Sequence, residues 1–317
     1  MCGGKQGIFI VVMLAATASP AAALQPAKSA GKSKPAAARE TVLVLVNDQK
    51  ITEADLERRL TFWQVPRDER DKYRKPFLEE LIDARLIQQF LASRKTVATK
   101  QEVDAEIKRI RESAKQPGAD PDKVLSDLGL PTEALREELA LRLAWKHHID
   151  RVIPPARLKA YFDEHRDEFD ETEVRSRQIL IKVPAGDEEA WKAAEAKMNS
   201  LRRQIVEGRV SFEDAAREYS QAPSKEQGGD VGWFKFTGKM PDQIARQVFR
   251  LKVGQISPPF RTRFGVHLCM ATDRKAGDLS LEDVRDDVVS RMSQELWKEQ
   301  AAELRSKAKI EWKSEKP

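Results

Sequence analysis

The 317-residue chain offers few side chains for covalent or metal chemistry. Its cysteines are Cys2 and Cys269, and its histidines are His147, His148, His165 and His267. Cys269 follows Leu268 in an apolar, strand-like run, the setting of a buried inert thiol rather than of a nucleophile. His147 and His148 are adjacent in a helical pattern and so face different directions, with no carboxylate or thiol at ligand spacing to complete a metal site. His165 reads as a solvated connector residue. The stretch from Gly232 to Gly238-Lys239 is one residue too long for a phosphate loop, and Met240 stands where Ser or Thr would be required. The densest feature is Gln227-Gly228-Gly229-Asp230-Val231-Gly232-Trp233-Phe234, with Gly238-Lys239-Met240-Pro241 just after it. Three glycines in five positions permit positive φ or close backbone approach, and two aromatics beside them supply buried area. That is a tight turn feeding a strand, and alone it is no more than a glycine-rich hairpin.

The run downstream adds the chemistry. After Met240 come a short helical pattern (Ile244, Val248, Phe249, Leu251), then Gly254-Gln255-Ile256-Ser257-Pro258-Pro259-Phe260, then Thr262-Arg263-Phe264-Gly265-Val266-His267-Leu268. In this order the segment resembles the parvulin family of peptidyl-prolyl isomerases, whose pattern runs GGD-x-GW, G-x-M, F-x-L-x-x-G-x-I-S-x-P and T-x-F-G-x-H. The resemblance covers about Val174 to Asp273. It implies rotation of X-Pro peptide bonds, which turn in tens to hundreds of seconds unaided because twisting forfeits amide resonance. No proton or group is transferred, so no cofactor or metal is implied. A catalyst needs an apolar socket for the proline ring and surroundings that favour the twisted amide over the planar one.

By the resemblance, the socket positions are Val231, Met240 and Ile244, with Phe234 and Phe264 nearby. The family places a histidine on the first strand, an aspartate or cysteine in the loop before the glycine pair, and a second histidine on the last strand. Here these positions hold Gln178, Ala222 and His267, with Thr262 available as the hydrogen-bond partner of His267. The catalytic candidates are therefore His267, Gln178 and Thr262. Gln178 can still donate and accept, whereas the Ala222 side chain can do neither. Two functions stay open: a working isomerase, and a binding module whose parvulin domain only grips apolar or proline-containing segments.

Further elements must position this module. Lys5, the apolar run Ile8 to Ala18 and the small residues Ser19 to Ala23 read as an export signal over 1–23, with an apolar core too short for a membrane span of about 20 residues and an uncleaved N-terminal anchor as the alternative. Residues 24–40 are Ala, Pro, Lys and Ser without periodicity, a flexible tether. Val42 to Val46 is β-branched and ends at Asn47-Asp48, a buried strand entering a turn. Thr52 with Asp55 forms a capping box. From Pro76, Leu78, Ile82, Leu86 and Phe90 recur every four residues on one apolar face. Helices follow over Lys100 to Glu112, Pro121 to Leu128, Thr132 to Val152 and Ala156 to Arg166, punctuated by Gly118, Gly129, Pro131 and Pro154-Pro155. Glu173 to Val183 is the module's first strand, Asp187 to Glu207 a helix closed by Gly208, and Ser211 with Asp214 a second capping box.

Beyond the module, Val284, Val288, Met292, Leu296 and Leu304 give a long helix, and Ile310-Glu311-Trp312 alternates like a strand. The segment Lys309 to Lys313 is expected to pair with Val42 to Val46, because a lone strand would leave backbone groups unpaired. A strand with Val-Asn-Asp, a Leu-Ile-Asp-Ala-Arg-Leu-Ile helix and Tyr161-Phe162-Asp163-Glu164-His165 look like the N-terminal region of SurA/PrsA-type exported foldases. In that family the chain's end returns to the N-terminal domain. This implies an α+β protein: a discontinuous, mainly helical chaperone domain (41–170 and 278–317) with an inserted parvulin domain (171–277), a four-stranded antiparallel sheet wrapped by helices.

Composition narrows the partners. Fifty-six Lys and Arg face 51 Asp and Glu, a net charge of +5 with signs interleaved along the helices, so no basic block points to nucleic acid. The expected partners are unfolded or partly folded exported polypeptides and their X-Pro segments, in the periplasm or another extracytoplasmic space, with no integral membrane span after signal cleavage. The expected function is a peptidyl-prolyl isomerase and foldase; the alternative is an ATP-independent chaperone.

Overall fold

The computed structural model describes residues 41–113, 120–127, 132–184 and 186–313. The expected export signal and tether, and the punctuating Gly118, Gly129 and Pro131, lie outside the described residues. The chain divides into two units, Met1–Pro154 with Ser290–Pro317, and Pro155–Val289.

The first unit is built on a three-stranded sheet. The central strand β1 (Val42–Val46) turns at Asn47, whose φ of 54° is tolerated by its short polar side chain, into β2 (Gln49–Thr52), a strand the sequence reading did not anticipate. On the other edge β7 (Ile310–Trp312) pairs antiparallel with β1, Val44 opposite Trp312 and Val46 opposite Ile310, as expected. Asn47 pins that pairing from both sides: its N–H donates to Lys309 O at 2.7 Å, and its Oδ1 accepts from Lys309 N at 3.0 Å.

Thr52 caps α1 (Glu53–Phe62) with the full capping box to Asp55. The helix expected from Pro76 begins earlier, as α2 (Arg70–Ser93). Arg70 explains the earlier start, since its guanidinium reaches back to Val65 O, Thr61 and Glu57, and Arg74 makes a two-pronged pair with Glu53 at 2.6 and 2.7 Å. Pro76 therefore lies inside the helix, where its missing N–H costs a bond that these contacts offset. Leu56, Leu60, Leu78 and Ile82 pack under Val44, Val46 and Ile51 as one core, and full burial of each such side chain contributes roughly 1.5–3 kcal/mol. The helices α3 (Lys100–Ser113), α4 (Pro121–Asp127) and α5 (Thr132–Val152) share a second core of Val103, Ile107, Leu125, Leu135 and Leu139. The long α11 (Arg285–Lys307) ends in this unit, where Arg305 binds Glu79 and Asp83 of α2.

The second unit opens with α6 (Pro155–Glu164) and the short α7 (Arg166–Phe169), separated at His165. Its four-stranded sheet has the order β4-β3-β6-β5, all antiparallel: β3 (Glu173–Ile181), β4 (Asp230–Lys235), β5 (Phe260–Thr262) and β6 (Gly265–Lys275). One sheet face carries Ile179, Val266, Leu268 and Met270 against α8 (Glu188–Val206) and α9 (Phe212–Tyr219). Asp187 caps α8 by accepting from Ala190 N, and Ser211 caps α9 by accepting from Asp214 N at 3.0 Å. In this second cap Asp214 answers to the Ser211 hydroxyl at 2.6 Å. The other face packs against α10 (Asp242–Phe249). The ends of the sheet domain meet where Thr172 Oγ1 accepts from Gly277 N at 3.0 Å and donates to the buried Asp170 at 2.7 Å.

Candidate functional site

Antiparallel register decides which side chains meet on the α10-covered face. Opposed residues share a face, and each strand alternates with period two. Leu180 lies opposite His267, Gln178 opposite Cys269 and Ser176 opposite Ala271 across β3 and β6. Phe260 lies opposite His267 across β5 and β6, and Val174 opposite Phe234 across β3 and β4. His267, Gln178, Phe234 and, two residues from Phe260, Thr262 therefore belong to one surface. Two glycines make it possible. A Cβ at Gly229 (φ 80°) would lie 2.5 Å from Gln178 O, so only glycine lets the 222–229 loop press on β3. A Cβ at Gly265 (φ 135°) would lie 2.1 Å from Ile181 O, at the turn that delivers His267.

The apolar part of this face is a cluster of Val174, Phe234, Phe236, Ile244, Ala245, Val248, Phe249, Cys269 and Ala271, with Val231, Met240 and Phe260 half-buried against it. Phe249 sits edge-on to both Phe234 and Phe236, with ring centroids 6.0 and 5.3 Å away. Of the socket residues expected from the sequence, Val231, Phe234, Met240 and Ile244 come together here. Phe264 does not join the cluster. It is 43% exposed on the β5–β6 turn, with the Arg263 guanidinium 4.8 Å above its ring.

The polar part centres on His267, which is 2% exposed. Its Nε2 lies 2.8 Å from Thr262 Oγ1, which also accepts from Phe264 N at 3.1 Å. A hydroxyl donates once and accepts twice, so accepting from Phe264 leaves Thr262 Oγ1 free either to donate to Nε2 or to accept from it. Burial pushes His267 down to about 4, so the ring is neutral at physiological pH. Phe260 stacks on it at 5.5 Å and 19°, a contact the sequence reading missed although Phe260 stands two residues from Thr262 on the same strand face. Ala222, where the resembled family has aspartate or cysteine, is buried at 5% and binds Ser220 Oγ only through its N–H, at 3.1 Å. Among the described residues His267 Nδ1, Gln178 Oε1, Ser176 Oγ and Ser224 Oγ are buried without a hydrogen-bond partner. Unpaired buried polar atoms cost about 1–3 kcal/mol each, and three of these, on His267, Gln178 and Ser176, share this one sheet face. Cys269, wholly buried between them, has its thiol pushed up to about 12 and is chemically inert. His147 and His148 point apart as expected, the first to Glu102 at 2.9 Å and the second between Phe90 and Trp145.

Residues 179–273 match the rotamase family described as the PPIC-type PPIase domain. Over 222 residues the chain is 30% identical to the foldase protein PrsA of Geobacillus kaustophilus, covering 69% of both sequences. The chain belongs to the PrsA family of foldases. This PrsA-type foldase is also 34% identical over 148 residues to the chaperone SurA of Xanthomonas oryzae, a match covering 45% of the chain and 31% of that relative. Among solved structures it is similar to the peptidylprolyl isomerase PrsA of Bacillus anthracis, with 22% identity, a TM-score of 0.43, and coverage of 73% of this chain and 96% of that one. The sheet unit of this PrsA-type protein is a parvulin-type isomerase domain, and the α+β architecture with a four-stranded antiparallel sheet is the one expected from the sequence. No helix among the described residues is long and apolar enough to cross a membrane.

Proposed function

We propose that this protein turns X-Pro bonds in unfolded or partly folded exported polypeptides outside the cytoplasm. In this reading Met240, Val231, Phe234 and Ile244 hold the proline ring, with Phe264 at the rim. His267, oriented by Thr262, and Gln178 give polar support. The observation that carries the reading is the buried Thr262–His267 pair set into the same sheet face as an aromatic-walled apolar cluster. Twisting the amide reduces charge separation between nitrogen and carbonyl oxygen. An apolar socket with neutral hydrogen-bonding groups therefore favours the twisted state without any proton transfer. The expected partners rest on the export-signal pattern in residues 1–23 and on the names foldase and chaperone carried by the relatives. Residues 41–170 and 278–317 are assigned as the chaperone-like part, and 171–277 as the isomerase.

The test is a protease-coupled or NMR-exchange assay of the full chain on a panel of X-Pro peptides. Catalysis above the spontaneous rate, lowered by Met240→Ala, is the expected result. A second reading, peptide gripping without turnover, is favoured by one observation: Ala222 supplies no polar side chain where the family has one, and Gln178 Oε1 is unpaired. Peptide binding at the uncatalysed rate selects that reading.

A further inference from the structure

We propose that Lys239 is a positioning residue of the proline socket, holding Met240 in place by tying its loop to the free edge of β4; this rests on the isomerase reading above. In the order β4-β3-β6-β5 the strand β4 is an edge, so carbonyls on its outer side have no strand partner among the described residues. Lys239 Nζ donates to two carbonyls of that strand, Val231 O at 2.7 Å and Trp233 O at 3.3 Å. Those residues flank Gly232, and a Cβ there would come 3.6 Å from the ammonium, an ordinary contact. The loop that carries Lys239 passes through Gly238 at φ 105° and delivers Met240 to the aromatic cluster before α10 begins at Asp242. One ammonium thus links the two half-buried socket residues: it binds the backbone of Val231 and is covalently next to Met240. Glycine at 238 makes the loop intrinsically free, so a tether has conformational entropy to remove.

The lysine does not touch the proline ring in this account. Loosening the loop removes ring contact equally from the planar and twisted amides, which weakens affinity and leaves the bound rate alone. Lineshape NMR on an X-Pro peptide with the full chain separates the two quantities. Lys239→Met keeps the stem and removes the donors, and is expected to weaken Kd about three- to tenfold while the exchange rate of bound peptide stays within about twofold. Lys239→Arg retains donors and is expected to recover most of the affinity. A control, Lys252→Met, alters a surface lysine outside the site.

A second readout needs no activity. The order parameter of the Met240 methyl group, labelled with carbon-13, is expected to fall in Lys239→Met and to recover in Lys239→Arg. An unchanged methyl order overturns the proposal and leaves Lys239 as an edge protector only. So does an affinity loss that Lys239→Arg does not recover. A wild type that neither binds nor turns the peptide overturns the isomerase reading, and the methyl order alone then decides whether the tether exists.

Discussion

The two faces of the β3–β6 pair are made by the same backbone and differ in how their polar groups are paired. On the face under α8 and α9 the alternating residues are Ile179, Val266, Leu268 and Met270, all apolar and closely covered. One residue along in each strand lie Ser176, Gln178, His267 and Cys269, where three polar atoms have no partner among the described residues. A single slip of register would exchange the two sets, so strand alternation alone separates the residues packed under α8 and α9 from those of the proposed site. The face under α10 tolerates its unpaired polar atoms because both faces of the sheet are packed, one under α8 and α9 and the other by the cluster around Phe234 and Phe249.

The largest expected effect breaks the face under α8 and α9. Leu268 is fully buried among α8 and α9, and Leu268→Ala is expected to lower the stability of the isomerase domain by about 2–5 kcal/mol. Denaturant unfolding of the full chain measures it, while peptide affinity per folded molecule should hold. Acid titration probes the other face. His267 protonates near 6.5 when unfolded and near 4 when folded, so below 6.5 the unfolded chain takes up a proton that the folded chain refuses. Stability is therefore full above pH 6.5 and declines as pH falls towards 4, by roughly 3 kcal/mol for this group. Over pH 5 to 8 the neutral ring predicts a flat isomerase rate, and a rate that titrates near 6.5 would contradict the assigned environment.

Sharpening the comparison means adding polarity to the polar face. Gln178→His together with Ala222→Asp restores the family's usual groups and is expected to raise the rate about ten- to a hundredfold, read in the exchange assay, since each hydrogen-bonding group is worth about 1 kcal/mol or somewhat more. Met240→Ala strips the socket instead. Because Met240 is only half-buried, a loss of kcat/KM of about tenfold is expected, with little change in the unfolding midpoint.

What was legible in the sequence follows from how local each constraint is. Gly229 and Gly265 are dictated by backbone approach, so spaced glycines gave the turns of the sheet domain in advance. Thr52 with Asp55 and Ser211 with Asp214 are short-range caps and were equally readable. The strand Gln49–Thr52 was not, because two exposed polar residues and a capping threonine leave it no alternation to read. The early start of α2 depends on Arg70 and Arg74 reaching acids from α1, a tertiary effect stronger than the signal of Pro76. At the site, His267 and Thr262 were visible as a pair. The stacking of Phe260 and the lone oxygens of Ser176 and Ser224 emerge only once strands are set side by side.

The pairing of β1 with β7 sets an order of events during synthesis. Its two strands are joined by more than 250 intervening residues, and closing so long a loop slows folding more than it weakens the product. All of Pro155–Val289 precedes Ile310 in the chain, so every strand of the isomerase domain is made before β1 can gain its second partner. Until then one edge of Val42–Val46 is open to pairing with another chain.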